Sequence, residues 1–313
     1  MPIARIRSAA SAVLTLAYLA LAGAQPLAES PRTAPVPAAL SVAGAALEVE
    51  VRGEFARSTA ALLAWVRRSA DIVARYYGRF PARSLRIRIE IEPGDGVQGG
   101  TTYANPDAFI RVRVGREVTD DQLLGDWVLV HEMTHLALPD TGERHAWLSE
   151  GLATYVEGVA RVQAGNRREE DVWAEEMRAM PRGLPLDDDR GLDHTHTWAR
   201  TYWGGAMFCL LADVDIRRAT QLRFGLQDAL RAVLRASGGL ATDWPIERVL
   251  RTGDAAVGTR TLEELYGRMK DSAVAPDLRA LWQQLGVVSD GTTVRLDDHA
   301  PLAGVRRAIM RVP

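Results

Sequence analysis

The sequence predicts an α+β fold, in which a small β-sheet with one helix precedes a mainly helical region. Two patterns support this. Between residues 40 and 115, three segments alternate apolar and polar residues with the period of two that is typical of half-buried strands. From residue 119 onward, apolar residues recur at helical spacing. With 47% hydrophobic and 25% charged residues, the 313-residue chain has a globular composition, not that of a disordered or polytopic membrane protein.

In the first folded part, the predicted elements follow one another closely. Ser58 is expected to cap a helix that extends to Tyr77, because apolar residues between them repeat every three or four positions. The glycine-rich segment at 94–100 is predicted as a turn, and it lacks the Gly-Lys-Ser/Thr ending of a phosphate-binding loop. The three strands are expected at 47–52, 85–92 and 110–114.

The second half is predicted to be helical. Thr119 and Gln122 match a capping box. Apolar residues then cover nearly every face from Trp127 to Leu138, as in a buried helix, and Pro139 ends it. Further helices are expected at about 147–162, 199–216, 219–236, 261–270 and 276–284, with a hairpin at 287–296.

The N-terminus has the layout of a secretory signal peptide. A short basic start precedes an apolar run at 9–24, which ends in the small residues Ala22-Gly23-Ala24. The run is shorter than the roughly 20 residues that a membrane-spanning helix needs. We therefore expect cleavage after Ala24 and a periplasmic or secreted protein without stable membrane insertion; an uncleaved anchor is the alternative.

Charge and cysteine content exclude several classes of function. The 38 basic and 40 acidic residues give a formal net charge of -2, so no nucleic-acid partner is expected. The single cysteine, Cys209, excludes an intramolecular disulfide and a zinc site built from cysteines. No pattern in the sequence predicts the oligomeric state.

The chemistry-bearing motif is His131-Glu132-Met133-Thr134-His135, inside the apolar helix. Residues four apart are neighbours on a helix surface, so both imidazoles can face one metal ion. Glu132 then lies beside that ion, where a water would bind. The alternative is two structural histidines in a buried helix. That alternative leaves a carboxylate and two imidazoles in an apolar environment without compensation, which is costly.

A third metal ligand is expected on the following helix. Catalytic zinc sites use three protein ligands and leave one position open, and two histidines with one glutamate form a known set. Glu150 follows His135 after a short loop that contains Pro139, so the second helix can fold back against the first. The sequence therefore predicts one zinc ion bound by His131, His135 and Glu150.

These motifs resemble those of the gluzincin zinc metallopeptidases, a peptidase MA-like superfamily. The resemblance rests on His-Glu-x-x-His together with Trp147-Leu148-Ser149-Glu150-Gly151, and it is closest to the glycyl aminopeptidase family and more distant to the aminopeptidase N family. It implies a thermolysin-like zincin core, with Glu132 as the general base. It also implies that Glu157, seven positions after Glu150, orients a ligand histidine; a solvated surface glutamate is the alternative.

A second block resembles the Tyr-x-x-Gly helix of the same peptidases. The block begins at Tyr202 and reaches Gly205. The resemblance implies that Tyr202 stabilises the oxyanion, a role in which a hydrogen bond acts on charge that develops only in the transition state. Tyr155 is the rival candidate, and a buried structural tyrosine is the alternative. The Gly-x-Met-Glu-Asn segment of aminopeptidase N relatives has only a partial counterpart at 99–105, which lacks the amine-binding glutamate.

The expected function is that of an exported zinc metallopeptidase acting on a peptide or protein substrate, with Glu132 and Tyr202 as catalytic residues. The main alternative is a catalytically idle zincin-fold protein that serves as a structural or peptide-binding module; a hydrolase of non-peptide amides is a further one.

The expected parts of the chain are a signal peptide at 1–24, a proline-rich linker at 25–39, an N-terminal α/β part of the catalytic domain at 40–118, its zinc-binding helical part at 119–190, and a C-terminal helical region with a terminal hairpin at 191–313.

Overall fold

The structure is a computed structural model that describes residues 38–55, 58–105, 107–291 and 293–311. The predicted signal peptide at 1–24 lies outside these residues and stays a prediction. Across the described part of the chain, no helix combines the length and apolar character needed to cross a membrane.

A five-stranded mixed sheet forms the N-terminal part. Its strands are β1 Ala38–Val42, β2 Ala45–Arg52, β3 Ser84–Glu92, β4 Val97–Tyr103 and β5 Phe109–Gly115. Their order in the sheet is β1-β2-β3-β5-β4, with β2, β3 and β5 mutually parallel and both edge strands antiparallel to their neighbours. The three central strands are those that the alternating pattern predicts.

The two edge strands differ from the sequence expectation. β1 begins at Ala38, inside the linker predicted at 25–39. The chain forms a strand there because a tight turn, with positive φ at Ala43 and Gly44, lets it pair with β2. β4 occupies much of the segment at 94–100 that was predicted as a turn. Glycine is tolerated in β4 because this strand has a neighbouring strand on only one side. The register of β4 against β5 also shifts between Val97 and Gly99.

Helix α1 (Thr59–Tyr77) connects β2 to β3 and confirms the prediction closely. Ser58 caps it by accepting a hydrogen bond from the backbone N–H of Ala60. Its apolar face is buried, with Trp65 and Tyr76 almost inaccessible to solvent. The helix thus packs between the sheet and the helical part of the protein.

The helical segment from Thr119 is broken in two. The capping box of Thr119 and Gln122 is present, but α2 (Asp120–Gly125) ends before α3 (Val128–His135) begins. Asp126 causes the break: its carboxylate accepts hydrogen bonds from the backbone N–H groups of Val128 and Leu129. It therefore caps a new helix, which the apolar pattern alone did not indicate.

The remaining chain is mainly helical, as predicted, but it contains more helices than expected. The elements are α4 Ala146–Gln163, α5 Glu169–Ala179, α6 Gly205–Ala219, α7 Leu226–Ser237, α8 Ile246–Val257, α9 Thr261–Met269, α10 Leu278–Leu285, β6 Val287–Ser289, β7 Val294–Leu296 and α11 Ala303–Met310. Of these, α5, α8 and α11 lie outside the predicted helices, and the hairpin of β6 and β7 is not terminal because α11 follows it. The α+β fold class is confirmed.

Candidate metal centre

Two histidines and a glutamate converge where α3 faces α4. His131 and His135 lie one turn apart on α3, with ring centroids 4.9 Å apart. A short loop reverses the chain, and Glu150 comes on the second turn of α4. Its Oε2 atom lies 3.3 Å from His131 Nε2 and 3.5 Å from His135 Nε2. The structure therefore brings the three predicted ligands together.

The geometry of this cluster fits a zinc ion. The three ligand atoms lie within 4.8 Å of one another. A tetrahedral ion with nitrogen and oxygen ligands about 2.0–2.1 Å away holds those atoms about 3.3 Å apart, which matches the separations that Glu150 makes with the histidines. Two imidazole nitrogens and one carboxylate oxygen are also a donor set that zinc accepts.

The charge state of Glu150 reflects its neighbours. Burial acts to raise its pKa, but the charges and hydrogen bonds of His135 and His131 outweigh burial and hold the pKa well below its usual range. The carboxylate is therefore ionised at neutral pH, as a metal ligand must be.

One ligand histidine has a clear orienting partner. Ser149 Oγ lies 2.9 Å from His135 Nδ1, so the hydroxyl fixes the ring while Nε2 faces Glu150. His131 Nδ1 is buried, and no described residue supplies a hydrogen-bond partner for it. Ser149 directly precedes Glu150 in the sequence, yet nothing in the pattern singled it out.

Glu157 does not take the role that the resemblance implied, nor is it a solvated surface residue. It is buried, and its carboxylate interacts with Arg161 at 3.4 Å. Seven residues along a helix span about 10.5 Å, which carries Glu157 away from the ligands around Glu150. Burial raises its pKa to about 7, against the opposing charges of Arg161 and Arg167.

The predicted base, Glu132, lies beside the ligand cluster and against strand β4. Its Oε2 atom is 2.6 Å from the hydroxyl of Thr102, which also lies 2.8 Å from the Glu132 carbonyl. Gly100 makes this approach possible, because a Cβ atom there would lie 2.5 Å from Glu132 Cγ. The edge strand therefore holds the carboxylate in place.

Tyr202 reaches the same site from the other side. It lies in a π-helical turn, Arg200–Gly204, which precedes α6. Its ring stacks on His131 with centroids 6.1 Å apart and an interplanar angle of 12°. Burial, with the negative charge and hydrogen bonding of Glu150, raises the pKa of Tyr202 well above its usual range. The phenol is therefore protonated at neutral pH and can donate a hydrogen bond.

The side chains of Tyr155, His145 and Cys209 lie outside this cluster. Tyr155, the rival to Tyr202, is buried and donates to Asp213 at 2.9 Å. His145 lies near Asp193 rather than near the ligands, with its Nδ1 2.9 Å from the Thr141 carbonyl oxygen. Cys209 is buried, and burial raises the pKa of its thiol. An unionised, inaccessible thiol is unreactive.

Comparison with solved structures finds proteins of similar fold. The chain is similar to an aminopeptidase N family protein from Idiomarina loihiensis (TM-score 0.63, 13% identity, 85% of this chain and 53% of that one). It is also similar to an M1 zinc metallopeptidase from Deinococcus radiodurans (TM-score 0.53, 15% identity, 78% and 52%). A mutant of the latter bound to a Tyr-Ser-Ala substrate matches equally well, with TM-score 0.53 and 14% identity over 78% and 53% of the chains.

At 13–15% sequence identity, these similarities show the fold of the chain and do not show its activity. The chain spans about half the length of these structures. No protein-family model matches it, and no curated protein matches it. The fold expected from the gluzincin resemblance is thus supported by its structural neighbours, whereas the closer glycyl aminopeptidase relationship stays a prediction.

Proposed function

We propose that this protein is an exported zinc-dependent metallopeptidase. The observation that carries the proposal is the convergence of His131, His135 and Glu150, with Glu132 and Tyr202 beside them. Two imidazoles and a carboxylate whose ligand atoms lie within 4.8 Å of one another, next to an acid–base group and a neutral phenol, have the composition of a hydrolytic zinc site. Structural neighbours that include M1 zinc metallopeptidases support the same reading.

In this proposal, His131, His135 and Glu150 would hold one zinc ion. When bound, the ion would polarise the scissile carbonyl and lower the pKa of a water toward about 7. Glu132 would accept a proton from the attacking water as the water oxygen bonds to the carbonyl carbon, and would pass this proton to the amine nitrogen as the C–N bond breaks. The hydrogen bond from Thr102 orients the Glu132 carboxylate for this transfer.

Tyr202 provides the second catalytic group. Its raised pKa keeps the hydroxyl protonated, so it donates a hydrogen bond to the carbonyl oxygen as negative charge develops there. The π-helical turn accounts for its placement, since such turns redirect side chains and recur at functional sites.

Strand β4 supplies a place for the substrate. It is an edge strand of the sheet and lies next to α3, so its free edge can pair with an extended peptide. No carboxylate occurs among Val97–Tyr103, so this strand offers no anion to bind a free amino terminus. We therefore expect peptides with blocked amino termini to be accepted.

The experiment that tests the proposal compares wild-type protein with Glu132→Gln. The wild type is expected to cleave members of a peptide library when zinc is present and to lose this activity with a chelator. Glu132→Gln should bind zinc as the wild type does and lose hydrolysis, because Gln cannot accept the proton. Undiminished cleavage by the variant contradicts the role of Glu132. Zinc binding with no cleavage of any peptide by the wild type favours the idle, peptide-binding alternative.

A further inference from the structure

Two exposed tryptophans flank the candidate metal centre. All eight tryptophans lie in the described part of the chain, yet only Trp127 (50% exposed) and Trp198 (61%) are largely accessible. Indole side chains bury a large apolar area when they are covered, and proteins usually cover them. Their exposure at this place therefore needs a functional explanation.

Both indoles contact rings of the site itself. Trp198 stacks on Tyr202 with centroids 5.2 Å apart and an interplanar angle of 22°. Tyr202 in turn stacks on His131. Trp127 contacts the His131 ring edge-on, with the two ring centroids 5.6 Å apart. The four rings thus follow one another in the order Trp198, Tyr202, His131 and Trp127. The two outer rings are exposed, and the two inner rings belong to residues of the proposed catalytic site.

A purely structural role does not account for this arrangement. Trp198 stacks on Tyr202, yet most of its surface stays exposed. Trp127 occupies the N-cap position of α3, but its side chain makes no capping hydrogen bond, because Asp126 performs that function. An aromatic residue is not needed at this position to begin the helix.

We propose that Trp127 and Trp198 form a recognition platform for an aromatic side chain of the substrate, next to the scissile bond. The proposal rests on the proposed peptidase function and names its substrate class: peptides with Phe, Tyr or Trp adjacent to the cleaved bond. A flat aromatic ring covers the open indole surface, gains stacking contacts, and lies within a few ångströms of the rings that hold the metal.

The charges around the platform agree with a neutral occupant. Glu132 and Glu150 are the nearby carboxylates: Glu132 accepts a hydrogen bond from Thr102, and Glu150 lies beside His131 and His135, where it would bind the zinc ion. His196, two residues before Trp198, is exposed, and the nearby His194 is paired with Asp271 at 2.8 Å. A side chain that carries no charge thus fits the platform best.

The test uses peptides in which a single Phe is moved along a polyalanine hexamer, with hexa-alanine as the reference. The wild type should cleave the best Phe peptide at least about tenfold more efficiently than hexa-alanine, since burying one phenyl ring against indole supports a difference of that size. Trp127→Ala and Trp198→Ala should remove most of this preference, because they lower the hydrolysis of the Phe peptide far more than that of hexa-alanine. Trp198→Phe should restore it in part.

Binding is measured separately from hydrolysis. In the zinc-loaded Glu132→Gln protein, the Phe peptide should quench tryptophan fluorescence and bind about tenfold more tightly than hexa-alanine, and adding Trp198→Ala should abolish the difference. Phe224→Ala, an exposed aromatic residue that makes none of these ring contacts, is the control. Its preference should equal that of the wild type.

The outcomes separate the two proposals. Hydrolysis without preference for Phe, or a preference unchanged in both tryptophan variants, overturns the platform and leaves the peptidase function intact. An equal loss for Phe and alanine peptides also overturns it, because that result assigns Trp198 only to positioning Tyr202. Phe-selective binding that both tryptophan variants lose, without any hydrolysis, supports the platform and contradicts the peptidase function.

Discussion

Gly151 and Gly205 meet backbone to backbone where α4 crosses α6. A Cβ atom on Gly151 would lie 2.2 Å from Gly205 Cα, and one on Gly205 would lie 2.0 Å from the Trp147 carbonyl oxygen. Gly151 directly follows Glu150, and Gly205 directly follows the π-helical turn of Tyr202. This contact therefore sets the distance between a metal ligand and the proposed oxyanion donor.

Replacing Gly205 with alanine should destabilise the protein. Alanine normally favours a helix over glycine by about 1 kcal/mol, but here the methyl group collides with backbone that cannot move aside. We expect the free energy of unfolding to fall by about 1–3 kcal/mol, measured by urea denaturation, with weaker zinc binding. Gly267→Ala in α9 is the control, since nothing lies within 4 Å of its Cβ position. Equal effects of the two substitutions contradict the close-contact explanation.

Removing the hydroxyl of Ser149 should weaken metal binding without unfolding the protein. The hydroxyl orients His135 through Nδ1, and loss of such a partner typically reduces metal affinity about 10–100-fold. Chelator competition with Ser149→Ala measures the change. Thr154→Val on the same helix is the matched control, because the Thr154 hydroxyl has no hydrogen-bond partner among the described residues. An unchanged zinc affinity in Ser149→Ala refutes the orienting role.

Thr102→Val should slow hydrolysis while preserving zinc content. The substitution keeps the shape of the side chain and removes the hydrogen bond to the Glu132 carboxylate. A hydrogen bond to a charged group contributes about 1.5–3 kcal/mol, so kcat should fall by roughly one to two powers of ten. Thr101→Val, whose hydroxyl donates to the Gly100 carbonyl instead, is the control. Wild-type kcat in Thr102→Val means that the strand does not position the base.

Stability should depend on pH through a buried carboxyl group away from the site. Burial, with Glu175 and Glu157 nearby, raises the pKa of Glu176 to about 8, against the charge of Arg167. Because this folded-state pKa exceeds the unfolded value of about 4.3, the stabilisation is complete below about pH 4 and is lost as pH rises through 8.

Glu176→Gln removes this titration. The free energy of unfolding of the variant minus that of the wild type should therefore increase between pH 5 and pH 8.5, as urea denaturation at each pH measures. Asp171→Asn, which removes an exposed carboxylate on the same helix, is the control for the loss of a carboxylate as such. A constant difference for Glu176→Gln shows that its carboxyl is not protonated in the folded protein.

The sequence was most informative where one physical rule dominates. Alternation predicted the three central strands, and the His-Glu-x-x-His spacing with Glu150 predicted a ligand set that the structure brings together. The predicted helix N-caps at Ser58 and Thr119 are also confirmed. Each of these depends on residues that are close in the chain or that share one helix face.

The sequence was least informative where distant contacts decide. Asp126 interrupts the apolar helix because Trp65 Nε1 and two backbone N–H groups share its carboxylate, and Trp65 is far away in sequence. Likewise, β4 forms despite its glycines because β5 supplies a partner and Gly100 admits Glu132. The prediction for Glu157 is wrong because helical periodicity shows which face of α4 carries a residue, but not how far that residue lies from the ligand histidines along the helix axis.

The central claim is tested most directly by measuring zinc in three dialysed proteins: wild type, Glu150→Gln and Glu143→Gln. The carboxylate of Glu150 contacts both histidines, whereas Glu143 makes no ligand contact in the cluster at His131, His135 and Glu150. We predict one zinc ion per chain in the wild type and in Glu143→Gln, and an affinity reduced at least about 100-fold in Glu150→Gln. A wild type that binds no zinc, or a Glu150→Gln protein that keeps full affinity, contradicts the account.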